Sequence, residues 1–109
     1  MSGLTDLQQR ALDIRRRYAD LNAKDGHDAW GPKEYAMGFT GDVGDLLKIV
    51  MAKENLRAMD DVDGKLAHEL ADCLWSILVL AGHYGIDLEA EFMKTMDGLE
   101  ERIGKAQQV

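Results

Sequence analysis

The sequence predicts an all-α protein, and three features support that prediction. Apolar residues recur at spacings of three and four along four separate segments, the pattern of a buried helix face. Only one proline, Pro32, interrupts the 109 residues. No segment alternates apolar and polar residues between hairpin turns, as half-buried strands do. We therefore expect an antiparallel four-helix bundle with short connections, built as a single domain over residues 1–109.

The first predicted helix has a regular apolar stripe. Thr5 and Gln8 near its start are spaced as a capping box, in which two side chains bond to backbone N–H groups that the helix leaves free. The predicted buried stripe of this helix is Leu4, Leu7, Ala11, Ile14, Tyr18 and Leu21.

The second predicted helix follows a loop over residues 23–32, which contains two glycines and ends in Pro32. Because proline suits the first turn of a helix, we expect this helix to begin near Lys33. Its predicted buried stripe is Phe39, Val43, Leu46 and Val50.

The third and fourth helices have recognisable ends. Asp63 is expected to cap the third helix, Gly85 to end it, and Asp87 to cap the fourth. The third helix is apolar on more than one side, which predicts contact with a second subunit and hence a homodimer. The predicted stripes are Leu66, Leu70, Cys73, Leu74, Ile77 and Ala81, extended by Trp75, Leu78, Val79 and Leu80, and on the fourth helix Leu88, Phe92, Met96, Leu99 and Ile103.

Charge and cysteine content argue against several classes of protein. The chain has 20 acidic and 13 basic residues, a net charge of −7, whereas nucleic-acid binders are usually basic. The longest apolar run, residues 73–82, is much shorter than the ~20 residues of a membrane span. A single cysteine and no visible signal peptide favour the cytoplasm. Arg15, Arg16 and Arg17 point in different directions on a helix, which predicts a solvated face.

Two pairs of carboxylates lie within the second and third helices. Asp42 and Asp45 are three residues apart, as are Glu69 and Asp72, so each pair shares one helix face. At ~100° per residue, Asp42 lies roughly 40° from Leu46, inside the apolar stripe, and Asp45 lies at its edge. Measured from Leu70 on the third helix, Glu69 lies roughly 100° and Asp72 roughly 160° away, just outside the apolar stripe. At least Asp42 is therefore expected to face the interior.

A carboxylate that faces the interior needs a partner, because its burial otherwise costs several kcal/mol. Four carboxylates on two facing helices form an all-oxygen site, which suits hard cations such as Mg²⁺ or Mn²⁺. The alternative is a salt bridge between Asp42 and Lys53, which lies roughly 20° from Leu46 on the same helix. Spacing alone leaves these two interpretations about equal.

Three segments that contain these acids carry a resemblance to a known family. They are GDVGDL at residues 41–46, HELADCLW at residues 68–75 and GIDLE at residues 85–89. The chain resembles the MazG-like all-α nucleoside triphosphate pyrophosphohydrolases, whose pattern is E-x-x-E followed by E-x-x-D, with helices of matching order and length.

The resemblance implies an enzyme that cleaves a (deoxy)nucleoside triphosphate between the α and β phosphates, giving a monophosphate and pyrophosphate. It implies Asp42, Asp45, Glu69 and Asp72 as Mg²⁺ ligands, with Mn²⁺ as an alternative ion. An alternative role for one of the four is that of the base for the attacking water. Phosphoribosyl-ATP is a less favoured substrate from the same superfamily. Dimers, or tetramers built from pairs of dimers, are also implied.

The first motif departs from the family pattern, because it has two Asp where the family usually has two Glu. Asp42 and Asp45 reach roughly 1.5 Å less far than Glu would. Mg²⁺ demands tight geometry, so the shorter ligands favour a more tolerant ion or bridging waters. The second hypothesis is therefore a catalytically weak helical module that binds nucleotides or mediates dimerisation.

Substrate-binding candidates lie in the loop and on the helix faces. Trp30 can stack on a base or cover one end of the bundle. Lys53 and Lys65 have the better helical phase for phosphate contact. Lys94 and Arg102 match basic positions of the family's last helix loosely, and ion pairs with neighbouring acids are the alternative. The full set of candidates is Trp30, Lys33, Lys53, Lys65, Lys94 and Arg102.

Overall fold

The computed structural model describes residues 3–108, and this part of the chain is helical with no strand. The all-α prediction is confirmed. Within the described residues, no helix is both long and apolar enough to cross a membrane. The four helices are α1 (Leu4–Lys24), α2 (Pro32–Lys53), α3 (Val62–His83) and α4 (Leu88–Gln107).

The first three helices end in the same backbone motif. A residue with positive φ follows each helix: Gly26 (79°), Asn55 (62°) and Gly85 (66°). The next N–H then donates to a carbonyl five residues back, as Ile86 N does to Ala81 O at 2.8 Å. Such bonds satisfy carbonyls that a helix end leaves free, and glycine or asparagine adopts the required φ readily. Gly85 as the end of α3 is therefore confirmed.

The start of α1 differs from the predicted capping box. Its N-cap is Gly3, so Thr5 and Gln8 lie inside the helix. The Thr5 hydroxyl donates to the Glu89 carboxylate at 2.8 Å, and the Gln8 amide donates to Ile86 O at 3.0 Å. The capping-box prediction is wrong because both side chains bond to the segment around the start of α4.

The start of α3 also differs, whereas the start of α4 is as predicted. Asp61, with a φ of 49°, holds the N-cap position of α3, so the prediction for Asp63 is wrong. Asp63 lies in the first turn, and its carboxylate is 2.6 Å from Lys53 Nζ. The Asp87 carboxylate accepts a hydrogen bond from Ala90 N at 3.1 Å, which confirms it as the cap of α4.

The core forms where α3 packs against both α1 and α2. Its buried members are Ala11, Tyr35, Leu78 and Val79, of which Val79 is 1% exposed. The predicted burial of Leu78 and Val79 is confirmed. Apolar side chains that are partly buried against this cluster are Leu4, Trp75, Leu80 and Leu88.

The buried face of α2 is rotated away from the predicted one. The buried residues are Tyr35, Ile49 and Ala52, whereas Val43 and Val50 are exposed. Both sets have helical spacing, and only contact with α3 decides between them. The face of α2 that packs against α3 carries Tyr35, Asp42 and Ile49, each seven residues from the next. Asp42 therefore lies at the contact with α3.

No residue of α4 is buried, and this helix contacts mainly α1. Of the stripe predicted to be buried, Phe92 and Ile103 are 53% and 57% exposed and Leu99 is also exposed, whereas Leu88 and Met96 are half-buried. The radius of gyration is 17.6 Å, against ~13 Å for a compact chain of about this length. The described chain therefore leaves one apolar helix face without a partner.

Candidate metal centre and flanking cavities

Three of the four predicted metal ligands meet between α2 and α3. Asp42, Glu69 and Asp72 each offer one carboxylate oxygen, and these oxygens lie within 4.8 Å of one another. All three residues are half-buried. Asp45, one turn further along α2, is exposed and lies outside this group. We refer to Asp42, Glu69 and Asp72 as the acid cluster.

Glu69 is more enclosed than its helical phase indicated. Its Oε1 atom is shielded from solvent and has no hydrogen-bond partner within the described structure. Glu69 shares a face with Cys73 and Ser76, both buried, at spacings of four and seven. This face is the interior one on α3, so the prediction centred on Leu70, which is 51% exposed, placed Glu69 wrongly outside.

Burial and neighbouring acids both favour protonation in the acid cluster. Burial raises the pKa of the Glu69 carboxyl, the contact with Asp42 adds to the rise, and the charges of Asp72 and Asp45 add further. Burial and the same cluster raise the pKa of the Cys73 thiol. Cys73 is therefore an unreactive thiol in the core, as the sequence indicates.

The predicted alternative, a salt bridge between Lys53 and Asp42, does not form. Lys53 is paired with Asp63, and among residues 3–108 no lysine or arginine forms an ion pair with any member of the acid cluster. The basic group in contact with the cluster is His68, whose Nε2 lies 3.1 Å from Asp72 Oδ2. Sequence analysis missed His68, although its spacing of four from Asp72 was a usable signal.

The residues of the acid cluster fit a hard divalent cation. The donor set consists of carboxylate oxygens, which Mg²⁺ and Mn²⁺ prefer. The shielded Glu69 Oε1 has no donor among residues 3–108, and a buried polar atom without a partner is costly. Mg²⁺ sites commonly use few carboxylates and leave positions for water and substrate phosphate, so three ligands are sufficient.

An aromatic cavity of about 370 Å³ lies where α1 and the loop before α2 meet α2 and α3. Tyr35 is central in its wall, with Trp30 at 5.5 Å and Trp75 at 6.1 Å between ring centroids, both edge to face. Trp30 is 52% exposed. The lining residues are Arg15, Tyr18, Ala19, Asn22, Trp30, Tyr35 and Trp75.

Arg15 belongs to this aromatic cavity, so the predicted solvated face does not hold for it. Its Nη2 donates to Trp30 O at 3.2 Å, and its guanidinium lies 5.9 Å from the Tyr35 ring centroid. Arg16 and Arg17 do lie on a solvated face, where both pair with Asp13. The three arginines separate because successive residues on a helix point about 100° apart.

A smaller cavity of about 270 Å³ adjoins the acid cluster. Lys48 from α2 and Lys65 from α3 both line it, and we call it the lysine cavity. Lys65 was a predicted substrate-binding residue, whereas Lys48 was not among those selected. The lining residues are Asp45, Lys48, Ile49, Met59, Lys65, His68 and Glu69.

The remaining predicted substrate-binding residues lie elsewhere. Lys33 is exposed in the first turn of α2, roughly 13 Å along the helix axis from Asp42. Lys53 is engaged with Asp63. Lys94 and Arg102 are exposed on α4, and neither lines the aromatic or the lysine cavity.

Comparison with known proteins assigns no family to the chain. No family model, no curated protein and no solved structure matches it. The MazG-like resemblance therefore depends on the three motif segments, and a function has to be argued from the geometry of the acid cluster and its two neighbouring cavities.

The raised pKa of Glu69 predicts how stability depends on pH without metal. Folding holds the Glu69 proton more tightly than the unfolded chain does, so this residue's contribution to stability falls as pH rises from about 4.5 through the raised pKa. Glu69→Gln removes the charge. We expect the metal-free variant to melt at a higher temperature than the native protein at pH 7 and at a similar temperature near pH 4.

Glu100→Gln, which removes an exposed carboxylate from α4, is the control and should leave the melting temperature nearly unchanged at both pH values. A Glu69→Gln variant that is less stable than the native chain at pH 7 would show that the carboxylate stabilises the metal-free fold.

Proposed function

We propose that this protein is a divalent-metal-dependent hydrolase that cuts nucleoside triphosphates between the α and β phosphates. The observation that carries the proposal is the acid cluster, in which three carboxylates from facing helices converge and the shielded Glu69 Oε1 has no donor. The absence of a lysine or arginine partner in the described chain supports a cation as the missing partner.

The acid cluster would hold Mg²⁺, or Mn²⁺, which when bound neutralises phosphate charge and lowers the pKa of water. This role also resolves an electrostatic difficulty. A chain of net charge −7 repels a polyphosphate, and a divalent ion at the binding site inverts the local field. The products would be a nucleoside monophosphate and pyrophosphate, with one water consumed across the anhydride bond.

Asp45 lies beside the acid cluster but is not one of its three members. It is exposed, lies one turn along α2 from Asp42, and shares the lysine cavity with Glu69. In the proposed reaction Asp45 accepts the proton of the attacking water, while Asp42, Glu69 and Asp72 are the metal ligands. The different surroundings of the two acids of the first motif support this division of roles.

The aromatic cavity supports a nucleotide as the substrate. Trp75 lies three residues after Asp72, so the cavity begins within about 5 Å, along the helix axis, of the acid cluster. The Trp30 ring is open enough to stack on a base, and Tyr35 and Trp75 complete an apolar wall. Trp30 also packs edge to face against Tyr35 in the first turn of α2.

Two substitutions in the first motif test this function. Asp42→Asn should reduce turnover at least ~100-fold and remove stabilisation by Mg²⁺, because a metal ligand is lost. Asp45→Asn should lower kcat by ~100-fold or more while Mg²⁺ still raises the melting temperature, because a general base is lost but the ligands remain.

The assay measures monophosphate and pyrophosphate from a panel of nucleoside triphosphates with Mg²⁺, with Mn²⁺ or with EDTA. Asp97→Asn on α4 is the matched control and should retain activity. Release of diphosphate and orthophosphate would contradict the proposed cut. Absence of turnover in the native protein would favour the nucleotide-binding or dimerisation module.

We also propose that the protein forms at least a homodimer. Phe92, Leu99 and Ile103 of the α4 stripe are exposed, and Leu47 on α2 and Leu70 on α3 are 61% and 51% exposed. Exposed apolar surface of this extent is typical of an interface. Sedimentation equilibrium should give twice the chain mass or more, and Phe92→Glu should lower it. A monomer at micromolar concentration would contradict the proposal.

A further inference from the structure

The lysine cavity holds two cationic side chains for which the proposed reaction has so far given no role. Lys48 from α2 and Lys65 from α3 face the same space of about 270 Å³. Among residues 3–108, neither forms an ion pair, although Asp45 and Glu69 line the same cavity. Two ammonium groups that face one space repel each other, and an anion between them removes that repulsion.

The lysine cavity and the aromatic cavity lie at opposite ends of the acid cluster. Along α3 the order is Lys65, Glu69, Asp72 and Trp75, at spacings of four, three and three, over about 15 Å. Lys65, Glu69 and Asp72 lie within about 60° of one another around the helix, and Trp75 lies about 60° further round from Asp72. Cation, acids and aromatic ring therefore follow one another along the length of the helix.

The antiparallel helix α2 repeats this order in space. Tyr35 lies at the aromatic cavity, Asp42 in the acid cluster and Lys48 at the lysine cavity. Both helices therefore present aromatic, acidic and cationic side chains in the same spatial order. A ligand with an aromatic ring at one end and phosphates at the other fits the groove between them in one orientation.

We propose that a nucleoside triphosphate lies along α2 and α3 with its ring in the aromatic cavity and its β and γ phosphates in the lysine cavity. The α–β linkage then lies at the acid cluster. This orientation rests on the proposed function and adds to it a leaving-group site: Lys48 and Lys65 bind the part of the substrate that is released as pyrophosphate. Both lysines thereby favour triphosphates over diphosphates.

Calorimetric titration of the full chain with Mg²⁺ and inorganic pyrophosphate tests this orientation without requiring turnover or knowledge of the base. Lys48→Ala and Lys65→Ala should each weaken pyrophosphate binding about 10-fold or more, because each removes a charge-assisted contact. Lys65→Arg should restore most of the binding. Trp30→Ala, at the opposite end, should change it by less than about 2-fold.

Lys24→Ala is the matched control, since this exposed lysine ends α1 and lines neither cavity. Pyrophosphate binding that is absent from the native protein, unchanged by both lysine substitutions, or weakened equally by Trp30→Ala would overturn the orientation. Lysine-dependent binding without hydrolysis would reject the proposed function and keep the anion site. Hydrolysis with lysine-independent pyrophosphate binding would reject the orientation and keep the function.

Discussion

The candidate site depends on one constraint, the mutual repulsion of the carboxylates of Asp42, Glu69 and Asp72 where α2 meets α3. Charged carboxylate oxygens within 4.8 Å of each other repel by roughly 1–4 kcal/mol per pair at dielectric constants between that of water and that of a protein surface. Proton uptake is one way to relieve this repulsion: the pKa of Glu69 is raised first by burial and further by Asp42, Asp72 and Asp45. A divalent cation is the other, and it also supplies the partner that Glu69 Oε1 lacks.

A cation bound by the acid cluster would give a role to the lysine cavity and the aromatic cavity on either side of it. A cation held by the acids attracts an anionic ligand. Lys48 and Lys65, which form no ion pair within residues 3–108, line the adjoining lysine cavity, where part of such an anion can bind. The aromatic cavity at the other end accepts an apolar ring. The groove between α2 and α3 thus combines three chemistries that separately are common on protein surfaces and that together match a nucleotide.

The helices and most of their ends could be predicted from the sequence because they depend on local signals. Gly85 ends α3 through its own backbone conformation, and Asp87 caps α4 with its own side chain. Both roles could therefore be predicted from the local sequence. Thr5 and Asp63 are equally good local signals of a helix start. In the structure, however, Thr5 bonds to Glu89 and Asp63 pairs with Lys53, and no local pattern reveals these partners on other helices.

The site was predictable in part for the same reason. Motif spacing identified the four acids, but their burial depended on which face of α3 packs inward, and Leu70 was the wrong reference. Arg15 and Lys48 were missed because their importance comes from neighbours on other elements, Trp30 and Tyr35 for Arg15 and Lys65 for Lys48.

Helix α4 belongs to the proposed dimer contact and not to the proposed substrate site. The acid cluster and both cavities are built from α1, α2, α3 and the segments between them, without a residue of α4. A substrate contact by Lys94 or Arg102 would therefore require an α4 placed differently, which a second subunit in the proposed dimer would provide. Burial of the α4 stripe and delivery of these two basic residues would then be consequences of the same association.

The most direct measurement of the central claim is anomalous X-ray scattering from crystals of the protein grown with Mn²⁺. The account predicts an ion in direct coordination with carboxylate oxygens of Asp42, Glu69 and Asp72, and its loss in crystals of Asp42→Asn. Mn²⁺ found only at other positions, or a lysine or arginine side chain paired with Glu69 in the same crystals, would contradict it.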